Sequence, residues 1–147
     1  MFKFRTMVAN ADQIGGPSSA TDDVRITRIG RFLRQYKLDE LPQLINVVRG
    51  EMSLVGPRPE VLQYVAMYSD EEKSILTVAP GITDWASVWN RDEGALLARS
   101  LDPEKVYLEQ IRPDKIRLQL EYVKNQSLAT DIRILFATFK AVVFGRQ

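Results

Sequence analysis

The stretch TRIGRFLRQYKLDELPQLINVVRGEMSLVGPRPE, residues 27–60, holds two helical patterns, an acid pair between them and an irregular end. Ile29, Phe32, Leu33 and Tyr36 recur at helical spacing, with Arg28, Arg31, Arg34 and Lys37 around the rest of the cylinder. Thr27 stands where an N-cap belongs. The pattern predicts a core helix with a solvated basic face; the sharper alternative is a basic wall turned toward phosphates. Leu41, Leu44, Ile45 and Val48 then repeat at three and four residues, which predicts a second helix from about Asp39 to Val48. Pro42 falls in its first turn, where a missing N–H costs little, and Gly50 closes it. Pro57 and Pro59 bracket Arg58 and make SLVGPRPE irregular.

Working outward, MFKFRTMV alternates Phe2 and Phe4 with Lys3 and Arg5 and reads as a short strand. IGGPSSATDD is a loop. EVLQYVAMYSDEEKSIL reads as one or two helices, and PGITDWASVWNRDEG as a turn followed by a strand-like or irregular piece. DPEKVYLEQI and PDKIRLQLEYVKN are two helical stretches, each opening with Asp and Pro near its start. In the last helix Leu128, Ile132, Leu135, Phe136, Phe139 and Val143 share a side, which predicts core packing or, alternatively, immersion at a membrane surface. The expected fold class is α+β and predominantly helical. Residues 1–147 form one compact domain with short strands and amphipathic surface helices.

The absent residue types restrict the chemistry. The chain has no Cys and no His, which removes disulfides, thiolate nucleophiles, Cys-type zinc sites and imidazole bases. Catalysis must use carboxylates, Lys, Arg, hydroxyls, backbone dipoles or a metal. With 20 Lys+Arg against 19 Asp+Glu, no overall field draws nucleic acid. Residues 1–38 nevertheless carry seven basic and three acidic residues, a local attraction for phosphate or a lipid surface. No apolar run approaches the ~18 residues of a membrane span.

Asp39 and Glu40 admit two readings. Asp39 is an N-cap and Glu40 a favourable charge at the helix start. Alternatively, with Arg34 and Lys37 close by, they form an anion site in which a divalent cation bridges carboxylate and phosphate. A carboxylate beside a phosphoryl group can also attack it, giving an acyl phosphate. Arg58, preorganised by its prolines, offers a guanidinium fork matched to phosphate oxygens. Arg91 follows a stretch in which Trp85 and Trp89 serve the core or line an aromatic pocket.

The blocks KFRTM, TRIGRFLRQYKLDELPQLINVVRGEMSLVGPRPE, PGIT and YVKNQSLATDIRIL, in that order, resemble the bacterial sugar transferases, the monotopic polyprenyl-phosphate phosphoglycosyl transferases. The similarity runs from Lys3 to Lys140; the long central block is specific, and PGIT alone is weak. The resemblance implies transfer of a sugar 1-phosphate from a nucleotide diphosphate sugar, usually a UDP-sugar, to polyprenyl phosphate. It implies Mg2+, release of a nucleoside monophosphate, and a role in initiating exopolysaccharide, O-antigen or capsule assembly. On that resemblance Asp39 is the nucleophile and Glu40 assists the second step and the metal. Lys3, Arg34, Pro57, Arg58, Pro59, Arg91 and Asp131 fall on substrate-binding positions. The expected partners are the nucleotide sugar, the lipid phosphate and the membrane surface, with no nucleic acid and with a homo-oligomer left open. The implied location is the cytoplasmic side of the bacterial inner membrane, peripheral or monotopic, or soluble in this shortened form. Family members carry a re-entrant N-terminal membrane segment ahead of KFRTM; this sequence opens almost at that motif, and the expectation is a catalytic domain without that segment.

The chain also departs from the family. VAPGITDWASVWNR stands where members commonly read VRPGITGWAQVNGR, so Ala79, Asp84, Trp89 and Asn90 differ. Gln119 occupies a place where aspartate is common. These differences point to a different sugar pocket or subfamily. The alternative function is a non-catalytic membrane-surface or partner-binding module, with Asp39 a simple N-cap.

Overall fold

Val55, Tyr122 and Ile134 meet in one buried cluster with Trp85 packed on it, joining segments from across the chain. These contacts come from a computed structural model, which describes residues 1–15, 19–90 and 93–144. The helices are α1 (Ala11–Ile14), α2 (Arg28–Gln35), α3 (Gln43–Val48), α4 (Leu62–Val65), α5 (Trp85–Trp89), α6 (Glu93–Ala98), α7 (Pro103–Val106), α8 (Arg112–Lys124) and α9 (Leu128–Phe144). Two strands, β1 (Ser53–Val55) and β2 (Gly81–Thr83), pair in parallel with Ser53 opposite Gly81 and Val55 opposite Thr83. The fold is therefore α+β and predominantly helical. A second cluster gathers Tyr64, Leu97, Tyr107 and Ile111, and a third Tyr68, Ile75 and Ile116.

Several local expectations are corrected. The N-terminal residues form no strand; Met7 makes a lone antiparallel bridge to Ile26. Thr27 does cap α2, its hydroxyl accepting the Gly30 N–H at 2.9 Å. Yet α2 is not a core helix: Ile29 is 74% exposed, and Gly30 is its one buried residue. The reason is close approach. A Cβ on Gly30 would lie 2.0 Å from the Thr6 carbonyl oxygen, so this glycine seats α2 on the N-terminal segment.

The second helix begins later than expected. Leu38–Glu40 is a short 3-10 turn entered through Lys37 in the left-handed region (φ 56°), and α3 starts at Gln43 with no side-chain cap. Asp39 is thus not an N-cap. The apolar face of α3 points outward, with Val48 88% exposed, while Gln43 and Asn46 are buried. Asn46 accounts for its burial by bonding: its Oδ1 accepts the Phe2 N–H and its Nδ2 donates to Glu51.

WASVW is helical rather than strand-like, because Asp84 caps α5 by accepting the Ser87 N–H at 2.7 Å. Trp85 packs in the core and Trp89 is exposed. The two helical stretches at 102–124 join through a π-turn, Tyr107–Ile111. Pro113 lacks an N–H and crowds the carbonyl four residues back, and a wider turn accommodates both effects. In α9 the expected core face is exposed; Ile134 is its one fully enclosed residue, and Thr138 bonds to Thr83 at 2.8 Å.

Candidate active site

Three segments converge on the acid pair. The N-terminal segment runs beside it, with the Phe4 N–H donating to the Asp39 carbonyl at 2.9 Å. The Phe2 N–H is held by Asn46 at 2.7 Å, so the residues on both sides of Lys3 are tied down. Lys3 Nζ then lies 3.2 Å from Asp39 Oδ2 and 3.2 Å from Glu40 Oε1. From the turn after β1, Arg58 Nη2 donates to the same Glu40 oxygen. The second oxygen of each carboxylate, Asp39 Oδ1 and Glu40 Oε2, takes no donor among the described residues. The Asp39 side chain is 4% exposed and Lys3, which lies against it, 37%.

Burial pushes the Glu40 carboxyl upward, but the charges of Arg58 and Lys3 and their hydrogen bonds outweigh it. Its pKa lies below the ordinary 4.5. Glu40 is therefore ionised at neutral pH.

The main chain around Arg58 is fixed by the sheet. Gly56 N–H donates to the Thr83 carbonyl and Gly81 N–H to the Pro57 carbonyl, each at 3.0 Å. A Cβ on Gly81 would lie 2.1 Å from Gly56 N, so the pairing requires glycine there. Pro57 is buried and Pro59 half-buried, and they flank the arginine as the sequence reading anticipated.

The other sequence-derived residues lie elsewhere. Arg34 donates to Thr6 Oγ1 at 2.9 Å and Ser19 Oγ at 2.8 Å, not to the acid pair. Asp131, in the first turn of α9, accepts the Tyr122 hydroxyl at 2.8 Å. Burial, and then that bond, push Tyr122 up to about 12, so it stays a donor. Arg91 lies outside the described residues. Composition and spacing alone do not single out Asn46, which holds the N-terminus, or assign roles to Asp84 and Gln119, which touch Arg58. The one signal is that Asp84 and Gln119 depart from the family pattern.

The pair suits one metal class. Two adjacent carboxylates supply hard oxygen donors of the kind Mg2+ takes beside waters and substrate phosphates. Among the described residues no cluster of three or more His, Cys, Asp or Glu could enclose an ion by itself.

A model of a bacterial sugar transferase family matches residues 1–145. The chain belongs to the bacterial sugar transferase family. It is 40% identical over 154 residues to an undecaprenyl-phosphate glucose phosphotransferase of Komagataeibacter xylinus, covering 100% of this chain and 27% of that protein. It is 37% identical to the uncharacterized sugar transferase EpsL of Bacillus subtilis, over 97% of this chain and 62% of the relative. A UDP-glucose:undecaprenyl-phosphate glucose-1-phosphate transferase of Xanthomonas campestris shares 42% identity over 94% of this chain and 27% of its own length. This sugar transferase domain thus spans less than two thirds of each of these relatives. No helix among its described residues is long and apolar enough to cross a membrane.

Proposed function

We propose that this chain is the catalytic domain of a phosphoglycosyl transferase that moves a sugar 1-phosphate from a UDP-sugar to polyprenyl phosphate. The product initiates assembly of a bacterial glycoconjugate: an exopolysaccharide, O-antigen or capsule. The observation that carries the reading is the convergence of Lys3 and Arg58 on Asp39 and Glu40, each carboxylate keeping one oxygen free of donors among the described residues. Family membership and the relatives' names support the same chemistry.

In the first step a carboxylate oxygen of Asp39 attacks the sugar-bearing phosphorus of the nucleotide diphosphate sugar. The bond to the bridging oxygen breaks, and the nucleoside monophosphate leaves with the electron pair. The enzyme keeps the phosphosugar as an acyl phosphate. In the second step an oxygen of polyprenyl phosphate attacks that phosphorus, the aspartyl bond breaks, and the Asp39 carboxylate returns. The acceptor's second ionisation lies near pH 6, so Glu40 need remove only a residual proton. Lys3 exchanges its bond to Asp39 for the incoming phosphates, freeing the nucleophile. Arg58 stabilises charge on the transferring group. Arg34 and Asp131 stand outside the hydrogen-bonded dyad and serve through the segments they fasten; Arg91 retains a proposed role toward substrate. The free carboxylate oxygens of Asp39 and Glu40 would hold Mg2+, which when bound neutralises charge on the diphosphate.

The acceptor places the domain at the cytoplasmic face of the inner membrane. Exposed apolar residues on α2 and α3, with Arg28 and Arg31 alongside, support contact with a lipid surface.

The test is covalent labelling. With UDP-sugar labelled in the sugar and Mg2+, wild-type protein retains label through denaturation and releases UMP. Asp39→Asn retains none. Equal labelling of the two proteins would eliminate Asp39 as the nucleophile.

A further inference from the structure

Asp84 is 1% exposed, and both its oxygens are fully engaged. Oδ1 takes the Ser87 N–H at 2.7 Å and the Ser87 hydroxyl at 2.6 Å. Oδ2 takes the Arg58 main-chain N–H at 3.1 Å and Gln119 Nε2 at 3.0 Å. Gln119, on α8 and wholly buried, also directs Nε2 to the Arg58 carbonyl at 3.4 Å. Its own Oε1 is left without a partner. The amide cannot reverse to rescue that oxygen, because Nε2 faces two acceptors. An orphaned buried acceptor loses its hydration with no bond in return, so packing alone would favour an apolar side chain here.

We propose that Asp84 and Gln119 are positioning residues that grip the main chain of Arg58 by its N–H and its C=O and thereby set its guanidinium on Glu40. The grip is the last link of a chain of restraints. The β1–β2 pairing fixes Gly56 and Pro57, the clamp fixes Arg58, and the side chain then has one short reach to the acid pair. The proposal rests on the transferase reading for its catalytic consequence, but not for its structural one.

The experiment separates the two. Glu40 faces Lys3 from the N-terminal segment, Arg58 from the turn after β1, and Asp39 on its own turn. Loosening Arg58 therefore frees its guanidinium from Glu40, read without any substrate as faster rotation of the Arg58 Nη groups in nitrogen-15 NMR. In Asp84→Asn, the amide keeps its oxygen on Ser87 and turns an N–H2 toward the Arg58 N–H, donor against donor. Gln119→Met removes both donors and the orphaned oxygen at similar volume. Both variants are expected to speed that rotation and to lower kcat/KM for the UDP-sugar by on the order of tenfold to a hundredfold. Gln119→Met does so with its urea midpoint unchanged or higher, a divergence that a merely structural residue would not produce. It also carries the test if Asp84→Asn does not fold. Unaltered Arg58 guanidinium signals in Gln119→Met, or kcat/KM loss matched by lost stability, overturn the clamp. Absence of transfer by the wild type, with the Arg58 guanidinium signals changed in the variant, overturns the transferase reading and leaves the clamp standing.

Discussion

Glu40 is a half-buried acid whose charge is kept by its neighbours. Its side chain is 11% exposed, which alone would favour the neutral form. Arg58 and Lys3 reverse that preference and hold its carboxyl below 4.5. The sign of the stability effect follows from this. A depressed carboxyl contributes stability that is present above the unfolded-state value and lost as pH falls through the folded-state value. Wild type and Glu40→Gln should therefore differ most in urea midpoint at neutral pH, in favour of the wild type. The difference should shrink as pH is lowered from about 4.5, the ordinary carboxyl value. A difference that stays constant down to acid denaturation would show that Arg58 and Lys3 do not set the ionisation of Glu40. The same two cations serve catalysis, since a lysine held by two carboxylates is already placed where a diphosphate must arrive.

At the level of elements, glycines control how closely segments approach, and so where the charged residues fall. Gly81 lies against Gly56, and a Cβ would sit 2.1 Å from one main-chain atom and 2.4 Å from another. Gly81→Ala must part β1 from β2 or distort both, at an expected cost of about 1–3 kcal/mol in urea denaturation. Because Pro57 and Arg58 follow the strand, covalent labelling at Asp39 should fall as well. A variant with unchanged stability and labelling would show that the pairing does not position Arg58. The acid pair and its bracketed arginine were readable in sequence because their chemistry is local: adjacent carboxylates, and an arginine fixed by two prolines. The caps of α2 and α5 follow from single side chains, although only Thr27 announced itself. The core readings of α2 and α9 failed for one physical reason. Periodicity identifies which residues share a side of a helix, but not which medium that side meets. The roles of Asp84 and Gln119 were hidden because they depend on α5 meeting α8, 35 residues apart in the chain.

For the whole molecule, the distribution of apolar surface is the unusual property. On α3, buried Gln43 and Asn46 face the protein while Leu44, Ile45 and Val48, with Leu41 just before the helix, face outward. On α9, Phe136 is 72% exposed and Phe139 and Phe144 are also outside. A helix that hides its polar residues and displays its apolar ones has its preferred partner outside the described fold. A lipid surface suits α2 and α3 because exposed Arg28 and Arg31 accompany the apolar side chains, a pairing that anionic headgroups reward. Full burial of a Leu or Val is worth about 1.5–3 kcal/mol. Replacing Leu44 and Val48 together by Gln should therefore lower partition onto anionic vesicles by on the order of a hundredfold or more. Both residues lie on the outward face, so the urea midpoint should hardly change. Binding to neutral vesicles should be weaker than to anionic ones, and salt should reduce that gap. Unchanged vesicle partition in the double variant would exclude α3 as the contact. If it also abolished a concentration-dependent dimer seen by sedimentation, the occupant of this face would be a second copy of the chain instead.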